Sequence, residues 1–129
     1  MRIPDWVHRL FASIDAKDAD AFAGFLAEDA RFRYGSQPVV VGREAVNCYV
    51  SDFFAGMGGL SHELLGFWWG MPEQVCFVQG EVTYTLAGNR RVTVPFLNLL
   101  RTTEAGIADY RVYTDPTPLF LPAGTLPEA

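Results

Sequence analysis

Two side chains in this sequence are of the types that carry protons and stand where such a role would matter. Glu81 lies in the alternating run Gly80–Thr85, and His62 opens a run that ends on Trp68 and Trp69. A carboxylate among apolar neighbours is disfavoured in its charged form, and an imidazole exchanges a proton near neutral pH, so both types suit general acid–base work. Each also has a plain structural reading. Glu81 can pair with an arginine at a sheet edge, and His62 can be a hydrogen-bonded structural histidine. Asn98 sits in a run of leucines, and Tyr34 and Tyr110 alternate with charged residues on the apolar side of their runs. A buried hydroxyl or amide wants a partner, which a substrate oxygen supplies if a neighbouring group does not. Phe32, Phe67, Phe96 and Trp68 read as pocket lining or as ordinary core.

Other chemistries find no support in the residue spacing. The two histidines and the two cysteines, Cys48 and Cys76, lie far apart, so no metal or other cofactor is expected. His8, beside Arg9, reads as solvated. Gly56-Met57-Gly58-Gly59 follows no strand and precedes no Lys-Ser/Thr, so it is not a phosphate loop. Neither a Gly-x-Ser-x-Gly elbow nor a dinucleotide fingerprint occurs. Fifteen acidic against ten basic residues give a net charge of -5, which argues against nucleic acid as a partner. Both cysteines are expected to be buried thiols in a reducing compartment. No apolar run is long enough to span a bilayer, and the start MRIPDWVHRLF lacks a signal-peptide pattern, so a cytoplasmic protein without a membrane partner is expected.

The elements that must position these residues follow from periodicity. A chain of 129 residues, half of them hydrophobic, has the makings of one domain over 1–129, with an irregular Pro-rich tail from about 116 to 129. After Asp5, a candidate N-cap, Trp6, Val7, Leu10, Phe11 and Ile14 recur at helical spacing. Asp18 caps a second short helix with Ala19, Phe22, Phe25 and Leu26 inward. Ala30, Phe32 and Tyr34 alternate with Arg31 and Arg33 as a strand, and Gly35-Ser36-Gln37-Pro38 turns the chain. A third helix starts near Arg43, carries Val46, Tyr49, Val50 and Phe53 on one face, and stops at Gly56. Strands are then expected over Ser61–Trp69, Val75–Ala87, Arg90–Thr103 and Ile107–Thr114.

Gly88-Asn89 reads as a hairpin turn. If Ala87 faces Arg90, then Glu81 faces Phe96, and Glu81, Thr83, Thr85, Val92, Val94, Phe96 and Asn98 share the inner face. Asp109, Arg111 and Asp115 alternate with Tyr110, Val112 and Thr114, so their charges are expected on the outer face, in ion pairs or a dimer contact. The whole is expected to be an α+β domain whose helices cover a bent antiparallel sheet.

The runs Asp18–Phe32, Gly42-Arg-Glu-Ala-Val, Gly80-Glu-Val-Thr-Tyr-Thr, Val94-Pro-Phe and Asp109–Phe120, in this order, resemble the SnoaL-like branch of the nuclear-transport-factor-2-like superfamily. The resemblance implies a cone-shaped barrel with three N-terminal helices, an apolar cavity, and often a homodimer through the outer sheet face. Limonene epoxide hydrolase, with its aspartate-arginine-aspartate trio, corresponds at Glu81, Gln79 and Val112, where one carboxylate remains and that hydrolysis lacks its acid and its cation. The resemblance to ketosteroid isomerase and the polyketide cyclases implies instead a single base that removes a proton next to a carbonyl. On that reading the substrate is apolar and carbonyl-bearing, and the reaction is an isomerisation, aldol cyclisation or dehydration. Glu81 or His62 is the base, Tyr34 and Asn98 stabilise the enolate, and Phe32, Phe96, Tyr110, Val112 and Trp68 contact the substrate. The competing expectations are a non-catalytic ligand-binding or dimerisation module, and an adaptor that would need an exposed apolar patch on the outer sheet face.

Overall fold

Helix α1, Asp5–Asp15, turns Val7, Leu10 and Phe11 into the core at the spacing its sequence predicts. Pro4 occupies the cap position, and Asp5 stands in the first turn, where its charge still suits the helix N-terminus. This computed structural model describes residues 2–71 and 74–121, so the 122–129 part of the irregular tail lies outside the described residues. Helix α2, Ala19–Ala23, is capped by Asp18, whose side chain accepts from the Ala21 amide at 3.0 Å. It ends sooner than its apolar spacing suggests. Phe25 lies beyond it, and Leu26 begins strand β1, Leu26–Tyr34. A two-residue strand β2, Val40–Val41, follows the Gly35–Pro38 turn and pairs with Arg31 and Phe32 of β1. It is too short to leave a periodic signal. Helix α3, Arg43–Ala55, buries Val46, Val50 and Phe54. Gly42 opens it at φ 99°, a conformation that favours glycine.

The remaining chain is a meander: β3 Gly59–Trp69, β4 Val75–Thr85, β5 Arg91–Thr103 and β6 Gly106–Thr114, with a short 3₁₀ turn at Thr117–Phe120. The α+β class and the strand positions agree with the sequence reading. Three features differ. Two helices precede the sheet and the third follows β2, so the helices are interleaved with strands and do not form one N-terminal block. The sheet is mixed, because β1 pairs parallel with β6. Among the described residues it is also an open sheet of six strands, ordered β2-β1-β6-β5-β4-β3, and not a closed barrel. Alternation tells which face a residue takes but carries no information on the direction of a strand paired across a long connection.

The β4–β5 connection decides the site. Leu86 N–H donates to Arg90 O at 2.7 Å, and Ala87–Asn89 forms the loop between them, with Gly88 and Asn89 at φ 71° and 62°. Thr85 therefore faces Arg91, Val82 faces Val94 and Glu81 faces Pro95. This is one residue out of step with the expected register, and a one-residue slip turns a strand's entire set of side chains over. The inner face keeps Val92, Val94, Phe96 and Asn98 of β5 as predicted. From β4 it takes Cys76, Val78, Val82 and Tyr84, while Glu81 is exposed and Thr83 and Thr85 turn outward.

A bulge between Leu64 and Gly66 does the same within β3. His62 lies on the inner side before it and Phe67 after it, so Trp68, expected to face the substrate, is exposed on the outside. Gly80 lies opposite this bulge. A Cβ there would run into the Glu63 carbonyl and stand 3.1 Å from the Phe96 ring. Cys76 is buried and Cys48 exposed on α3, contrary to the expectation that both are buried, and both are free thiols. Among the described residues no helix is long and apolar enough to cross a membrane.

Candidate active site

The three helices and the inner sheet face enclose an apolar pocket of about 60 Å³. Phe22, Phe32, Phe96, Val82 and Val50 form buried walls, and Ile14, Tyr49, Phe53 and Val112 are partly exposed members of its lining. Three polar arrangements interrupt it.

The first joins β3 to the end of α1. His62 Nδ1 lies 2.6 Å from Asp15 Oδ1, and the His62 backbone N–H donates to Asp15 Oδ2 at 3.0 Å. The carboxylate thus holds both the strand and the ring. Phe11 and Phe96 pack edge-on against the imidazole at 5.0 and 5.3 Å between centroids. With Nδ1 committed to Asp15, Nε2 is the ring atom left for proton exchange. Asp15 escaped the sequence reading, although a signal exists. It is an acidic residue at a helix C-terminus with no basic residue in the last turn, against the direction the helix dipole favours.

The second arrangement is a pair of phenols: the Tyr34 and Tyr84 hydroxyls lie 2.9 Å apart. Burial pushes both above their ordinary values. For Tyr34 the hydrogen bond with Tyr84 offsets part of the rise, whereas for Tyr84 the neighbouring Tyr34 adds to it. Both remain neutral O–H groups at ordinary pH. Either can donate to the other, and the one that accepts keeps a proton to give. Tyr84 was missed because the expected register pointed it outward.

The third lies deeper in the core. Asn98 Nδ2 donates to the Tyr110 hydroxyl at 3.2 Å, and burial raises the Tyr110 phenol despite that bond. Asn98 Oδ1 has no hydrogen-bond partner among the described residues.

The residues picked out from sequence therefore divide. His62, Tyr34, Phe32, Phe96, Asn98, Tyr110 and Val112 all line the pocket. Glu81 and Trp68 do not, since both are exposed on the other face of the sheet. Glu81 stands opposite Glu63 and forms no ion pair among the described residues, so neither the cavity base nor the arginine pairing describes it. The epoxide-hydrolase positions are likewise not brought together: Val112 lines the pocket, whereas Glu81 and Gln79 share the outer parity of β4. Asp109 and Arg111 form the expected ion pair at 3.0 Å. Asp115 accepts from the Thr117 amide at 3.0 Å. His8 is exposed as expected. Among the described residues no three His, Cys, Asp or Glu side chains gather as metal ligands.

A family model described as a SnoaL-like domain matches residues 7–110. No curated protein matches the chain. Solved structures share its fold at low identity. A hypothetical protein with a ketosteroid isomerase-like fold from Catenulispora acidiphila, in complex with trimethylamine, is 17% identical with a TM-score of 0.81, over 98% of this chain and 100% of that one. SalBIII, an epoxide hydrolase/cyclase-like enzyme of pyran ring formation in salinomycin, is 20% identical with a TM-score of 0.76, over 88% and 90%. An LEH-like epoxide hydrolase of M. tuberculosis is 15% identical with a TM-score of 0.72, over 88% and 83%.

Proposed function

The chain belongs to the SnoaL-like domain family, and from that premise we propose that it binds a small apolar carbonyl compound in the pocket and moves a proton on it. The observation that carries this reading is the His62–Asp15 pair at the wall of an otherwise apolar pocket. His62 Nε2 takes a proton from the carbon next to the carbonyl, the C–H electron pair becomes the carbon–carbon double bond of the enolate, and the carbonyl π pair moves onto oxygen. Asp15 fixes the tautomer that leaves Nε2 unprotonated and then balances the imidazolium that forms. The free O–H of the Tyr34–Tyr84 pair donates to the developing enolate oxygen. Return of the proton to another carbon completes an isomerisation. Attack of the enolate carbon on a second carbonyl, with the imidazolium returning its proton to the alkoxide that forms, completes an aldol cyclisation.

The pocket's size limits the substrate. Its volume of about 60 Å³ is well below the ~150 Å³ of an apolar cavity that accepts benzene. It admits a molecule of a few heavy atoms as it stands, and a larger one once the partly exposed Tyr49 and Phe53 side chains swing aside.

The test is solvent deuterium exchange into the α-carbon of cyclopentanone, followed by NMR. The protein is expected to accelerate exchange over buffer, and His62→Ala to reduce that acceleration by roughly 10²-fold or more, the usual scale for a positioned base. Asp15→Asn should lower it too, with binding of the ketone unchanged. Acceleration that survives His62→Ala sinks the assignment of the base. Ketone binding with no acceleration at all establishes the binding-module alternative instead.

A further inference from the structure

The Asn98–Tyr110 pair is not used by the proton transfer above. Asn98 is 3% exposed and Tyr110 1%, and both line the pocket. Because Asn98 Nδ2 donates to the Tyr110 oxygen, the Tyr110 proton remains available. Asn98 Oδ1 is the one buried side-chain polar atom among the described residues that has no hydrogen-bond partner. Buried amide oxygens in folded proteins are almost always paired, because an unmade bond leaves their desolvation uncompensated. The pair thus leaves one acceptor and one donor without partners, on two residues that line the pocket. Burial in the core keeps the Tyr110 donor protonated across the working pH range.

We propose that Asn98 and Tyr110 form a subsite for a ligand hydroxyl, whose O–H donates to Asn98 Oδ1 and whose oxygen accepts from the Tyr110 O–H. A hydroxyl is the group that answers both needs with a single oxygen. A ketone or ether oxygen satisfies Tyr110 and leaves Asn98 Oδ1 bare, and a hydrocarbon satisfies neither. This inference rests on the reading of the pocket as a ligand site and narrows the substrate class. The compound that delivers its carbonyl to Tyr34 and Tyr84 carries an alcohol or enol hydroxyl as well.

The experiment compares cyclopentanol with cyclopentanone, two probes of nearly equal shape, titrated into the full chain and followed by amide NMR shifts. Cyclopentanol is expected to bind about tenfold more tightly, the worth of one well-made hydrogen bond. Asn98→Leu should erase the preference, and Tyr110→Phe, which removes a single oxygen and leaves the fold testable if Asn98→Leu does not fold, should shrink it. Equal binding of the two, as when a trapped water satisfies Asn98, overturns the subsite, as does tighter binding of the ketone or a preference that survives Asn98→Leu. Binding of neither probe overturns the ligand reading together with it. In His62→Ala the alcohol preference should persist while exchange is lost, so failure of the subsite and failure of the base are told apart.

Discussion

Asp15 sits where the helix dipole disfavours a carboxylate, and the cost is offset by two hydrogen bonds from one residue, His62. A residue placed against a local preference and held by a distant partner is the pattern of a site selected for more than stability. The cysteines allow a separate check at this scale. Burial pushes the Cys76 thiol from its ordinary 9.0 to about 11, while Cys48 is exposed. At pH 8 a thiol reagent should label Cys48 alone in the folded protein, and both cysteines only after denaturation. Prompt labelling of Cys76 under native conditions would contradict its placement. The sign of the linkage follows from the raised value. Below pH 9 the thiol is protonated in both folded and unfolded chains, so the folded state keeps its full stability. As pH rises toward 11 only the unfolded chain ionises, and that stability is lost. Tyr34, Tyr84 and Tyr110, all raised chiefly by burial, push in the same direction at still higher pH. Denaturation midpoints should therefore fall on going from pH 8 to pH 11.

Among the elements, the β3–β4 pair carries the geometry that aims His62 into the pocket. The bulge at Leu64–Gly66 reverses the strand's parity, and Gly80 opposite it leaves room for the Glu63 carbonyl and the Phe96 ring. Gly80→Ala forces a methyl group against backbone that has no alternative position. The cost expected is about 1–3 kcal/mol, the usual range for overpacking a core, read as a lowered urea midpoint at unchanged slope. His62 lies two residues before the bulge, so the same variant should also weaken deuterium exchange more than its stability loss explains. A variant as stable and as active as the parent would show that the two strands can part without cost. On the opposite side of the sheet the cross-strand row Trp68–Phe77–Leu99 and the neighbouring pair Leu97–Tyr113 form an apolar stripe.

That stripe bears on the molecule as a whole. Trp68, Leu97 and Tyr113 of that stripe are exposed large apolar side chains, and exposed apolar side chains gathered on one face mark an interaction site. We propose that a second copy of this chain covers it, in a homodimer through the outer sheet face. Sedimentation should show a dimer that Leu97→Lys converts to a monomer with its far-ultraviolet spectrum intact. A wild-type chain that sediments as a monomer at its highest soluble concentration removes the proposal, and leaves the stripe to a different protein, as the adaptor alternative requires. The pocket and the stripe lie on opposite faces of the sheet, so Leu97→Lys should leave deuterium exchange unaltered.

The sequence by itself determined the types and order of the longer helices and strands, the helix cap at Asp18 and the inward set of β5, because periodicity and capping are local properties written in neighbouring residues. It also singled out seven of the pocket's lining residues. What it could not reach were the properties fixed by pairing across distance. The parallel β1–β6 contact, the open edges of the sheet, the loop that shifts β4 by one residue and the bulge that turns Trp68 outward each depend on how separate segments meet. A single residue of slip exchanged Glu81 for Tyr84 as the side chain inside, and the partner of His62 came from a helix 47 residues away in the chain. Tertiary structure alone decided these, since a strand's two faces are equivalent until its neighbours choose between them.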